Sequence, residues 1–193
     1  MLGMTHPELH DPRALRAIAH PVRSRILTEL EANGALRAAD VAQLLGIPAN
    51  QASFHLRSLA KFGLVEEDPS AARDRRDRVW RAAEGARFDV SISELEKTPD
   101  GRAASKVFRR SKEAWAHRVV ELAYGEDRTP GVHRAITEQA VRLTKAEARE
   151  LTEELVAVVD GWRQRQRDEA DDERTTYHVF QVVQPYPDTS AGS

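Results

Sequence analysis

The chain has 193 residues, with 29 Lys and Arg against 31 Asp and Glu, a formal net charge of -2, 40% hydrophobic and 31% charged residues, and no cysteine. That length suits one domain or two small ones with a real core, and the balance is globular, not disordered. Without cysteine, disulfides, thiolate metal sites and thiol redox sensing are excluded, and with no net positive charge any basic footprint has to be local.

Residues 1–11 read as a flexible tail, with an early Pro7 and little periodicity. Residues 12–19 suit a short helix, with Asp11 as N-cap and Pro12 at the first helical position. Pro21 opens a stronger helix with Val22, Ile26, Leu27 and Leu30 on one side, stopped by Asn33-Gly34. Residues 37–62, RAADVAQLLGIPANQASFHLRSLAKF, read as two short helices joined by a tight turn. The first carries Val41, Leu44 and Leu45 on one stripe; Gly46 breaks it, and Pro48 stands where a helix can begin but not continue. The second repeats Ala52, Leu56 and Leu59 on one face and Asn50, Phe54, Arg57 and Lys61 on the other. An amide, an aromatic and two cations on the solvent side of a short helix are what a major-groove reader needs.

Gly63 ends this pair and leads into Leu64-Val65, which suits a strand; Asp68-Pro69-Ser70 is turn chemistry, and Val79-Trp80 suits a strand running back. The hairpin between them is a wing. From 71 to 81 it carries Arg73, Arg75, Arg76, Arg78 and Arg81 against Asp74 and Asp77, an excess of +3 (5 minus 2). A charge run of this kind is either a solvated loop or a phosphate contact, and its place directly after the helix pair favours the second.

Beyond residue 90 the character changes. Residues 101–122 predict a long helix with Ala104, Phe108, Trp115, Val119 and Leu122 contributing to one face, and 123–131 a loop. Residues 135–144 are expected as a strand. Thr144 and Glu147 match a capping box, in which each side chain satisfies the other's backbone amide. The helix that follows carries Ala148, Leu151, Leu155, Val158 and Trp162, a two-heptad seam able to pack on a partner helix. Residues 163–176 are a charged connector, YHVFQVV at 177–183 is expected as a final strand, and 185–193 as a frayed tail. There is no internal repeat.

Four pieces in this order resemble the ArsR-type winged helix-turn-helix regulators of bacteria: AHPVRSRILTEL, DVAQLLGIPANQASFHLRSL, KFGLVEE and RDRRDRVWRA, covering roughly residues 12–84. The resemblance implies a mainly α fold with a β-hairpin wing. Residues 12–90 would be the DNA-binding domain, and 91–184 a C-terminal helical or αβ extension that dimerises the protein, senses a small molecule, or both. It implies a homodimeric repressor on an imperfect palindrome of double-stranded DNA, with helix 49–62 in the major groove and wing 68–80 on the backbone. Asn50, Gln51 and Phe54 would then touch bases. Ser53, His55, Arg57, Lys61, Arg73, Arg75, Arg76 and Arg78 would meet phosphates. Two alternatives stay open: Phe54 folded over the wing base, and His55 as a packing residue. Phe108, Trp115, Leu151, Leu155, Val158 and Trp162 are the expected core or dimer anchors.

The sensor departs from the family. Where metal-responsive members place a Cys-x-Cys pair, this chain has Arg37 and Ala39. Glu113, His117 and Glu121 share one helical face, and His6 and His10 share the same spacing, but a surface charge stripe is far commoner than a metal site. No metal or cofactor is expected. Nor is an enzyme, since there is no glycine-rich phosphate loop and no G-x-S-x-G nucleophile motif. The competing reading is a winged-helix protein-interaction module, favoured by Glu66, Glu67, Asp68, Asp74 and Asp77 around the wing. No secretory signal is expected, and no apolar run reaches the roughly 18–20 residues of a membrane span, so the expected location is the cytoplasm.

Overall fold

The computed structural model of the chain describes residues 11–72, 78–83, 92–126, 130–166 and 174–187. It comprises two compact units divided between His117 and Arg118.

The first unit starts from local signals. Helix α1 (Pro12–Ala19) is capped by Asp11, which accepts a 2.8 Å hydrogen bond from the Arg13 N–H, with Pro12 in the first turn where no N–H is missed. Helix α2 (Pro21–Asn33) ends at Gly34, whose φ of +78° a side chain would resist. Its buried Glu29 is satisfied rather than stranded: Arg25 Nε donates to it at 2.6 Å and Asn33 Nδ2 at 3.0 Å.

Strand β1 (Leu36–Arg37) comes next, followed by α3 (Ala38–Leu45), α4 (Ala49–Ala60), β2 (Val65–Glu67) and β3 (Val79–Ala82). The sheet runs β1-β3-β2, antiparallel throughout, with Trp80 opposite Leu36 on one side and Glu67 on the other. Val79 and Trp80 are both buried, so the central strand is covered on both faces. The hairpin wing is as expected; β1 corrects the sequence reading, which began a helix at 37. Two residues are too short to show a period, and β1 exists only because β3 supplies its partner.

Leu15, Ile26, Leu30, Val41, Leu56 and Leu59 make the centre of the core, joined by Trp80, Leu95 and Ala104. Leu95 comes from α5 (Ile92–Leu95), a single turn that the sequence reading missed. Helix α6 (Pro99–Tyr124) begins two residues earlier than the expected 101 because Thr98 caps it: its Oγ1 accepts from the Gly101 N–H at 3.0 Å, and Pro99 fills the first position. Asp100 pairs with Arg16 at 2.5 Å, and Ser111 Oγ donates to the Ala19 carbonyl at 2.6 Å, fixing this end of α6 on α1.

The second unit contains the end of α6 and helix α7 (Lys145–Gln166). The capping box forms: the Thr144 N–H donates to Glu147 Oε2 at 2.7 Å, and the Glu147 N–H to Thr144 Oγ1 at 3.3 Å. The strands expected at 135–144 and 177–183 do not form. Neither segment carries helix or ladder, and among the described residues the only sheet is β1-β3-β2 of the first unit. The C-terminal region is therefore helical, not an αβ subdomain.

Gly101 supplies a test of the α5–α6 junction. A Cβ there would lie 1.7 Å from the Leu95 carbonyl oxygen, whereas one at Gly161 in α7 meets nothing within 4 Å. Gly101→Ala should cost about 1–3 kcal/mol or more in chemical denaturation. Gly161→Ala should be neutral or stabilise by up to about 1 kcal/mol. Equal effects would show that α5 does not clamp α6.

Candidate nucleic-acid interface

The site rests on how α4 is held. Ala52, Leu56 and Leu59 are fully buried. At about 100° per residue, Asn50, Phe54, Arg57 and Lys61 then fall on the opposite arc, and all four are exposed. The turn before α4 has the local chemistry it needs: Gly46 is left-handed at φ +64°, and Pro48 is the extended residue on which α4 starts. Helix α3 packs against α4 through buried Val41 and Ala42 and half-buried Leu45. Leu44, expected on that stripe, is 46% exposed, because it lies roughly 100° round from the centre of the buried arc.

Two polar side chains on the exposed arc of α4 have local partners. Asn50 Oδ1 accepts from the Gln51 N–H at 3.0 Å, and Arg57 Nε donates to the half-buried Ser53 carbonyl at 3.2 Å. Phe54 stands 60% exposed with its ring edge-on to His55 at 5.4 Å, so it does not fold away into the wing base.

His55 differs. It is only 8% exposed, its ring 5.0 Å from that of His20, and its Nδ1 and that of His20 are both buried with no hydrogen-bond partner. The packing alternative describes it. The missed signal was its spacing, three residues after Ala52 and four before Leu59, which places it on the buried face. Burial holds both imidazoles below their ordinary pKa, helped by the Arg23 guanidinium, which also donates from Nε to the Ala17 carbonyl at 2.6 Å.

In the wing, Arg81 pairs with Glu66 at 2.7 Å and Arg78 with Glu67 at 3.5 Å. The Ser70 hydroxyl donates to Asp68 Oδ1 at 2.5 Å and the Ser70 N–H at 3.0 Å, bonds that hold its carboxyl below the usual range. Arg73, Asp74, Arg75, Arg76 and Asp77 lie outside the described residues.

The anchors separate into two groups. Phe108 packs half-buried on the first unit's core, while Trp115 is exposed. On α7, Leu151 and Leu155 are half-buried, Val158 and Trp162 exposed, and the Arg165 guanidinium lies 4.1 Å over the Trp162 ring. Among the described residues no three His, Cys, Asp or Glu are grouped to hold a metal. Glu121 pairs with Arg118 at 2.9 Å, and His6 and His10 lie outside the described residues.

A half-buried helix with an exposed polar arc, preceded by a packed helix and followed by a hairpin, defines a winged helix-turn-helix protein. Residues 18–68 match the family model described as a helix-turn-helix domain, and this segment is such a domain, of the kind that DNA-binding transcription regulators carry. No curated protein matches the chain. Among solved structures, the chain is similar to the homodimeric winged helix-turn-helix DNA-binding domain of a possible ArsR-family transcriptional regulator from Mycobacterium bovis. That match has 22% identity, covers 61% of this chain and 83% of that one, and has a TM-score of 0.32. It is also similar to an apo-form mutant of ZitR from Lactococcus lactis (14% identity, 75% and 83% covered, TM-score 0.33). A third is RV1404 from Mycobacterium tuberculosis (18% identity, 77% and 81% covered, TM-score 0.32). No helix among the described residues is long and apolar enough to cross a membrane.

The His20–His55 imidazole pair, with His55 buried and His20 half-buried, sets a pH dependence. Both folded-state pKa values lie below the ordinary 6.5, so under acid the unfolded chain takes up protons that the folded chain refuses. Their contribution to stability is complete above 6.5 and is lost as pH falls through the folded-state values. Denaturation midpoints across this range should fall on the acid side, and the fall should shrink in His20→Gln. An unchanged slope in that variant would remove the pair as its cause.

Proposed function

We propose that the chain is a sequence-specific DNA-binding transcriptional regulator, a cytoplasmic homodimer that represses by occupying an imperfect palindrome. The observation that carries this reading is the exposed arc of α4: an amide, an aromatic and two cations on a helix whose other side is locked in the core. Asn50 and Gln51, at the start of α4, meet base edges, where each amide can bond adenine bidentately. Phe54 meets a thymine methyl. Ser53, Arg57, Lys61 and the wing's Arg73, Arg75, Arg76 and Arg78 meet phosphates, which position the helix without reading sequence. His55 drops out of this set because it is buried. Residues 12–90 serve as the DNA-binding domain and 91–184 as the dimerisation or effector region, which leaves room for a small-molecule effector.

The second reading, a winged helix that docks on protein instead, is favoured by the glutamates that already hold Arg78 and Arg81. Selection of bound sequences from a random DNA pool, followed by titration of the winner at several salt concentrations, separates the two. The regulator reading expects half-sites about 10–10.5 bp apart, or a multiple, and affinity that falls steeply with salt. No preference over random duplex, or a slope near zero, overturns it. Gln51→Ala should cost about 1–3 kcal/mol on the preferred base and relax specificity there, whereas Lys61→Ala should weaken all sequences alike and reduce the salt slope by about 1.

A further inference from the structure

We propose that His20 and His55 form an acid-sensitive latch between the α1–α2 corner and the back of α4. It is closed while both rings are neutral, and a proton on either opens it, so that DNA is released as the medium acidifies. The inference deepens the regulator reading and rests on it for this last step.

The latch joins two elements far apart in sequence. His20 ends α1 and starts α2, and its side chain makes no cap hydrogen bond to α2. His55 sits on the buried face of α4, its ring 5.0 Å from that of His20. The Nδ1 atoms of both rings are buried without a hydrogen-bond partner. A neutral imidazole places its single N–H on either nitrogen, whereas a protonated one carries an N–H on both. A proton on either ring therefore buries a donor with no acceptor and a charge with no counter-charge.

The surrounding charges add to that cost. The Arg23 guanidinium of α2 acts on both rings, and among the described residues no carboxylate acts on either. Arg13 and Arg16 of α1 turn to Asp11 and Asp100, and Glu29 of α2 to Arg25. Asp40 of α3 is engaged by Arg37, and Glu66 and Glu67 of β2 by Arg81 and Arg78. Arg57 and Lys61 of α4 lie on its exposed arc. From α6, Lys112 Nζ donates to Ser24 Oγ at 2.9 Å, which brings a further cation to the corner. A protonated ring thus meets repulsion and no neutralising partner.

The corner itself is pinned. Arg23 donates to the Ala17 carbonyl at 2.6 Å and to the Arg16 carbonyl at 3.3 Å, and Ser111 of α6 donates to the Ala19 carbonyl at 2.6 Å. The side that gives way is α4, which starts on extended Pro48 with no side-chain cap, just after left-handed Gly46. The Phe54 ring stands edge-on to His55 at 5.4 Å, and Asn50 and Gln51 precede it on the same helix. The strain therefore falls on the half of α4 that carries the proposed base contacts.

The test compares the full chain at about pH 7 and about pH 5 in fixed salt. Hydrogen exchange at the α4 amides, corrected for its intrinsic pH dependence, should report an opening constant at least about tenfold larger in acid, while amides 26–30 stay protected. Affinity for a duplex selected at neutral pH should fall at least about tenfold, whereas a proton on a solvated histidine would strengthen phosphate binding. His20→Gln should bind as wild type at neutral pH and lose most of both acid effects; His20→Asn repeats the comparison should glutamine disturb the corner. Unchanged α4 protection, loss of protection throughout the first unit together, or an affinity equal or higher in acid overturns the latch. So do full acid effects in both His20 variants. If no duplex is preferred at neutral pH, the regulator reading falls and exchange at α4 still judges the latch. Specific binding that persists in acid removes the latch and leaves the regulator.

Discussion

Everything that α4 can present to a partner depends on the burial of Leu56 and Leu59 beneath it. A fully buried leucine contributes about 1.5–3 kcal/mol, whereas a surface ion pair such as Arg78–Glu67 contributes about 0–1. The rotation of α4 about its axis is therefore set by the core and not by any polar contact around it. Because that rotation is fixed, Asn50, Phe54, Arg57 and Lys61 are held outward together. The sheet joins the same core, since Trp80 of β3 belongs to the cluster that Leu56 and Leu59 fill. Helix α4 and the wing are thus oriented by one apolar body.

Much of the first unit was legible because its signals are local. Asp11-Pro12 marks a helix start, Gly34 and Gly46 mark stops, and spacings of three and four mark buried faces. What escaped was non-local or short. β1 is two residues that become a strand only against β3, and α5 is one turn that becomes visible only when Leu95 enters the core. The start of α6 was written in the sequence, since Thr98-Pro99 is a cap followed by a first-turn proline, but its apolar period was read before its cap.

The candidate site was legible as a face and less so residue by residue. His55 was placed at phosphate by the resemblance, with a packing role left open, while its position in the repeat points inward. Position prevailed because burying the ring against His20 leaves the exposed arc intact. In the second unit the error has the opposite origin. The residue types at 177–183 suit a strand, but a strand is a relation between two backbones, and among the described residues no ladder includes this segment.

The cross-strand pairs of the wing, Glu66 with Arg81 and Glu67 with Arg78, have a kinetic meaning. Each places opposite charges on neighbouring strands, so the stem of the hairpin is internally neutral and casts little field beyond a Debye length. With a chain of net charge -2 behind it, such a stem does not draw a duplex in from a distance. On the regulator reading, capture begins only once Arg57, Lys61 and the wing's Arg73, Arg75 and Arg76 come close to the backbone. The encounter is then governed by shape and collision rather than by long-range attraction, and the association rate is ordinary even where the final complex is specific.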